Sequence, residues 1–391
     1  MSEIGPTGSD NPFGAFLGDM MKMFLTDGPL NWQLARQAAL VSATGGESEP
    51  NVDPLDRVRL EELLRIAELH VADATGLSTS QTGAVVAIKA VTRAEWAYYT
   101  LDAYRSLFEA LAVSLTAPSE PGLGFDAADP ETGLLGNLPQ VLGPVLLGAQ
   151  AGSLAGFLAR RALGQYDLPI PRPASDELMM VPTTINAFAS DWSLPPDDVR
   201  LWVCLSELTH HAVLGRAHVR DRIDSLLLTY VRGFRVDPTA LGSQLEGLDL
   251  SDPNAIPAAL GNPEAFLGAM QTPGQQETLA ELAAVVAALE GYVDHIIDTT
   301  GSRLISSHGA LAEALRRRRV EATDADRLIE QLVGLHLSQA TFERGTAFVR
   351  GVVSRAGDAG LARLWHSARE LPTPAEVDAP GLWLERINLP E

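Results

Sequence analysis

Apolar residues recur along most of the chain at three- and four-residue intervals and only rarely alternate with polar ones, a pattern that predicts a mainly α-helical fold. In DRVRLEELLRIAELHVADAT, residues 56–75, Val58, Leu60, Leu63, Leu64, Ile66, Leu69 and Val71 keep helical spacing with charges between them, and TRAEWAYYTLDAYRSLFEALAVSL, residues 92–115, does the same. Further helices are expected at about 30–43, 144–164, 196–216, 218–233, 277–299, 308–318, 324–333, 338–356 and 359–367, with strands limited to short pieces. Residues 117–137, 166–182 and 234–276 are rich in Pro, Gly and Asp and read as loops folded over the helices rather than as tethers between domains. The expected organisation is a loosely held tail over 1–25, whose piece FGAFLGDMMKMFL could dock on a neighbour, and a single helical domain over 26–391.

Composition narrows the function classes. The chain has 391 residues and 46% hydrophobic content, enough to bury a large core. Its 50 acidic residues against 29 basic ones leave a charge of -21, which repels phosphate backbones and anionic lipid, so nucleic acid is not an expected partner. A single cysteine, Cys204, excludes an internal disulfide framework, and the first 25 residues lack a secretion signal, so the cytoplasm is the expected compartment. Residues 133–159 carry no charge, yet Pro139, Pro144, Asn137, Gln140 and Gln150 argue for a buried soluble helix over a membrane span. In it Gly148, Gly152 and Gly156 fall four apart and would let a neighbouring helix approach closely.

The candidate chemistry sits in LSELTHH, residues 205–211. The surrounding helix is well punctuated: Ser193 can cap it, Pro195 and Pro196 suit its first turn, Asp197 and Asp198 favour the positive end of its dipole, and Gly215 can end it. Val199, Val203, Ser206, His210 and Val213 or Leu214 then form one inward stripe. The pattern departs by one residue from His-Glu-x-x-His, in which two imidazoles one turn apart hold zinc and the Glu acts as general base on metal-bound water. Here Ser206 stands in the first ligand's place, ahead of Glu207 and His210. About 80 residues on, Glu290 interrupts an apolar helix and is followed at four residues by Asp294. A carboxylate there is costly to bury unless it is paired or bound to a cation, and the spacing resembles that of zinc proteases with a Glu as third ligand and an Asp behind the site.

Taken together, GPLNWQLARQAA (28–39), TRAEWAYYTL (92–101), LLGAQAGSLAGFLARRALGQYDLPIP (146–171), the stretch 181–223 around SELTHH, EGYVDHIIDTTG (290–301) and the stretch 342–387 from FERGTAFVRG to WLERI resemble an actinobacterial family of type 2 zincin-like metallopeptidases. Some of its members carry an association with coenzyme F420 biosynthesis. The resemblance implies Glu207 as general base, His210 and Glu290 as zinc ligands and Asp294 as an orienting group, with a peptide or protein as substrate. Because Ser206 replaces an imidazole, zinc is expected to be weakly held or absent.

His211, His218 and His295 are the other histidines that could complete a metal site, His211 pointing about 100° away from His210 around the helix. Two further readings stay open. Glu207, His210 and Glu290 could form a buried hydrogen-bonded cluster tying two helices together, or the old substrate cleft could serve binding without catalysis. A Ser206–His210 nucleophile lacks an oxyanion hole, and Cys204 reads as a small packing residue.

Overall fold

Capping chemistry marks where the first helices begin and end. In the computed structural model, which describes residues 28–116, 130–234, 273–320, 334–335 and 337–389, the Asn31 side chain accepts from Leu34 N to open α1 (Trp32–Thr44), and Gly45 closes it in the left-handed region. Asp53 and Gly76 do the same for α2 (Pro54–Thr75). A reciprocal pair, Thr92 with Glu95, starts α3 (Arg93–Ala103), which is followed by α4 (Arg105–Thr116), α5 (Pro130–Ala159) and α6 (Pro182–Asp191). Then come α7 (Pro196–Leu214), α8 (Ala217–Arg232), α9 (Pro273–Leu304), α10 (His308–Val320), α11 (Gln339–Ala362), α12 (Pro374–Asp378) and α13 (Pro380–Asn388). Two short strands, β1 (Ala87–Ala90) and β2 (Glu177–Met180), pair in parallel with Ala87 opposite Glu177 and Ala90 opposite Met180. The fold is mainly α, as the periodicity predicts.

The differences from the sequence reading have local causes. The helix expected over 92–115 is divided at Tyr104, which leaves helical geometry at φ -102° and ψ 20°. The buried Tyr104 hydroxyl donates to the Ile170 carbonyl at 3.1 Å, a tertiary contact that periodicity does not encode. The apolar helix begins at Pro130, not near 144, and ends at Ala159. The sequence reading places no helix at 182–191; Thr183, Thr184 and Asn186 are weak helix formers, and Pro182 at the first turn with burial of Ile185, Phe188 and Ala189 overrides propensity. Ser193 does not cap α7 and instead takes φ 52°, leaving Pro195 at the cap position. The tail over 1–25 and the helix expected over 324–333 lie outside the described residues, as does most of the 234–276 loop.

Helix α7 is the centre of the fold. Every residue from Val203 to Leu214 is buried, so the polar residues of the motif enter the core with it. Two glycine contacts set the neighbouring helices. Gly148, Gly152 and Gly156 of α5 lie against the backbone of Asn31, which caps α1, and of Ala35 and Ala39 within it, the close approach their spacing predicts. Gly291 of α9 and Gly345 of α11 meet backbone to backbone, and a Cβ on Gly345 would collide with the Ala287 carbonyl. Because neither backbone can yield as a flexible side chain would, Gly345→Ala is expected to cost about 1–3 kcal/mol of stability. Urea denaturation measures it, and an unchanged midpoint would show that α9 and α11 stand further apart. Among the described residues no helix is long and apolar enough to cross a membrane.

Candidate functional site

Several pieces of chain converge on one cavity of about 200 Å³. Helix α7 contributes Ser206, Glu207 and His210, and α9 contributes Glu290 and Val293. The segment between α5 and β2 brings Leu163, Tyr166, Asp167, Leu168 and Pro169, and the end of α10 brings Arg318 and Arg319. Trp96, Trp202 and Phe342 complete the walls.

His210 and Glu290, 80 positions apart in sequence, face each other with Nε2 3.2 Å from Oε1. The Ser206 carbonyl, which can only accept, lies 2.9 Å from Nδ1 of His210, so Nδ1 carries a proton and donates it. Burial lowers the affinity of this imidazole for a second proton. The charge and hydrogen bond of Glu290, together with Glu207 and the Ser206 carbonyl, outweigh burial and raise its pKa overall. The two side chains thus form a hydrogen-bonded imidazole–carboxylate pair, both almost out of water. This geometry gives Ser206 no base, because both ring nitrogens are engaged elsewhere.

Glu207 accepts the Tyr166 backbone N–H at 3.0 Å and 3.2 Å on its two oxygens. Gly164 makes room for it, since a Cβ there would occupy the position of the carboxyl group. Trp96 donates its indole N–H to the Gly164 carbonyl at 2.8 Å and fixes that turn. Burial pushes the Glu207 carboxyl up to about 8, aided by the charge of Asp167 and opposed by His210 and the Tyr166 N–H. The folded protein therefore binds this proton more tightly than the unfolded chain does. Stability falls as pH rises from the ordinary carboxylate range toward 8 and levels off above it. Glu207→Gln removes the dependence, so the stability of the variant relative to the native chain should rise by about 2 kcal/mol between pH 6 and pH 8. Parallel urea curves at those two pH values would contradict the assignment.

Asp294 lies on α9 one turn beyond Glu290, but its carboxylate is held by Arg319, with Oδ2 and Oδ1 accepting at 2.8 Å and 2.7 Å. Arg319 also stacks over the Phe342 ring at 3.8 Å. The group that orients His210 is the Ser206 carbonyl, in the role expected of Asp294. His211 points away from the cavity, where Nδ1 meets the Tyr166 hydroxyl at 2.9 Å and the Gln81 amide at 3.1 Å. Its Nε2 stands 3.9 Å from Asp176, and burial lowers its pKa to about 4. Asp176 itself gathers the N–H groups of Gln81, Thr82 and Ala84 and the Thr82 hydroxyl. His218 lies in the first turn of α8, and His295 pairs with Asp358 at 3.2 Å. None of the three lines the cavity. Sequence reasoning passed over Tyr166, Gly164 and Arg319. Tyr166 falls in a stretch read as a loop, Gly164 at the end of the helix expected over 144–164, and the role of Arg319 depends on how α10 packs on α9.

The donor set can be tested against zinc. Two ligands on one tetrahedral zinc, with bonds of about 2.0–2.1 Å, stand about 3.3 Å apart, and Nε2 and Oε1 are separated by 3.2 Å. That edge fits. A third ligand does not follow, because position 206 offers a neutral hydroxyl, and among the described residues no group of three His, Cys, Asp or Glu side chains is placed to hold a metal. The residues present do not fit a zinc centre of the usual three protein ligands.

The profile of the zincin-like metallopeptidases matches residues 30–384, nearly the whole chain. A candidate hydrolase with a novel fold from Chloroflexus aurantiacus, known from a crystal structure, superposes with a TM-score of 0.62 at 24% identity, covering 93% of this chain and 100% of that one. The likeness shows the fold alone. No curated protein matches the sequence.

Proposed function

Since the chain belongs to the zincin-like metallopeptidase family, we infer that it keeps the family's cleft as a binding site and has lost the metal centre that hydrolyses peptide or amide bonds. One observation carries this reading: a serine hydroxyl occupies the position of the first imidazole ligand, beside an imidazole and a carboxylate already engaged with each other. A neutral hydroxyl competes poorly with imidazole for zinc, so affinity falls sharply with that one replacement. The protein is on this view a pseudoenzyme whose cleft takes a peptide or protein ligand, with His210 and Glu290 at the former ligand positions and Glu207 at that of the general base. What remains is a buried polar cluster that rigidifies the junction of α7 and α9.

A second reading, a slow hydrolase, is favoured by the survival of Glu207 in the cavity wall. Burial pushes its carboxyl up to about 8, toward the neutral range in which a general acid or base works best. The two are separated by measuring zinc content after incubation with the metal, together with hydrolysis of a mixed peptide library by the native chain and by Glu207→Gln. Substoichiometric zinc and equal background rates are expected. One zinc per chain, or hydrolysis that Glu207→Gln abolishes, would establish the enzyme.

A further inference from the structure

The cavity leaves three acceptors without sufficient donors. Glu207 is 4% exposed, and its side chain receives donors only from the backbone beside Gly164. Glu290 is 5% exposed and meets only His210 among the described residues. Ser206 is 8% exposed and lines the cavity, and its hydroxyl has no hydrogen-bond partner among the described residues. Three guanidinium groups also line the cavity, and each is engaged: Arg319 holds Asp294, Arg318 bonds to Asp167 at 3.0 Å and to the Arg161 carbonyl, and Arg161 bonds to the Arg318 carbonyl at 3.1 Å. Buried carboxylates with spare lone pairs are costly unless a donor or a cation meets them.

We propose that this cavity binds a primary ammonium group carried on an apolar body, the ammonium donating to Glu207, Glu290 and the Ser206 hydroxyl. An ammonium has three N–H donors and no acceptor, which matches three acceptors. A hard divalent cation calls for six or more oxygens, and zinc for a third nitrogen, sulfur or carboxylate ligand. Trp96, Trp202, Tyr166, Phe342 and Val293 supply apolar wall for the rest of the ligand. At about 200 Å³ the space suits one side-chain-sized group, below the roughly 300 Å³ at which drug-sized pockets begin. The upward displacement of the Glu207 pKa by burial and Asp167 agrees, since a cation placed there relieves both. The assignment rests on the metal-free reading of the cleft.

Isothermal titration calorimetry on the full chain tests it, with phenethylamine as the probe and 2-phenylethanol and 3-phenylpropanoate as the neutral and anionic counterparts. Phenethylamine is expected to bind, the counterparts to bind at least about tenfold more weakly, and Ser206→Ala to weaken the amine about tenfold. Glu290→Gln should abolish binding, and a thermal melt checks that it folds. If it does not, Ser206→Ala decides, since alanine is the better helix former. L-phenylalaninamide and Nα-acetyl-L-lysine N-methylamide separate the two sources of such a group, a chain terminus and a lysine side chain. Preference for either supports the site. Equal binding of the alcohol or the carboxylate, no binding of any amine, or indifference to Ser206→Ala overturns it and leaves the pseudoenzyme reading standing. Stoichiometric zinc that displaces the amine overturns that reading instead.

Discussion

Ser206→His should turn this protein into a zinc binder. The imidazole would project from the same face of α7 as His210, one turn away, into the cavity that Glu290 already lines. It would add the third ligand to a pair whose separation of 3.2 Å is that of two zinc ligands. Loss of groups that merely orient a ligand costs about 10–100-fold in metal affinity, and a ligand itself contributes more. The dissociation constant for zinc should therefore fall by at least about 100-fold, measured by competition with a chromophoric chelator. Bound zinc should also stabilise the variant, by about 2.7 kcal/mol at a concentration 100 times the dissociation constant. A folded Ser206→His chain that takes up no more zinc than the native protein would mean that the ligand positions do not converge in solution.

The second large effect is expected from His210→Ala. Removing the imidazole leaves the buried Glu290 carboxyl without its hydrogen-bond partner, and breaking such a buried pair from one side costs up to about 3–5 kcal/mol. Replacing both partners is milder, because Gln at 290 brings no charge into the core. Urea denaturation of His210→Ala, Glu290→Gln and the double variant gives the coupling. The double variant should be more stable than the sum of the single losses predicts. Simple additivity would show that the two side chains do not interact, and the α7–α9 site would dissolve with that result.

Much of this arrangement is legible along the chain, for reasons that differ by residue. Ser206 and His210 share a face because a helix places positions four apart together, and the caps and apolar run made that helix plain. Glu290 stands out because a carboxylate amid Val285, Val286, Ala287, Ala288 and Leu289 has to be matched by something. The family motif then joins it to His210. What periodicity could not supply is the partner of each remaining group. Asp294 looks like an orienting acid until α10 sets Arg319 against it. His211 looks like a spare ligand until Tyr166 and Gln81, 45 and 130 positions away, engage its ring. The Tyr104 break and the α6 helix belong with these, since tertiary contact prevails over local preference in both.

The glycine junction between α9 and α11 has a consequence for motion. With Gly291 pressed against Gly345, the turn next to Glu290 cannot open outward by itself without separating two whole helices. Backbone amides from 287 to 291 should therefore exchange with deuterated solvent only when the molecule unfolds globally, orders of magnitude more slowly than those at the exposed end of α10.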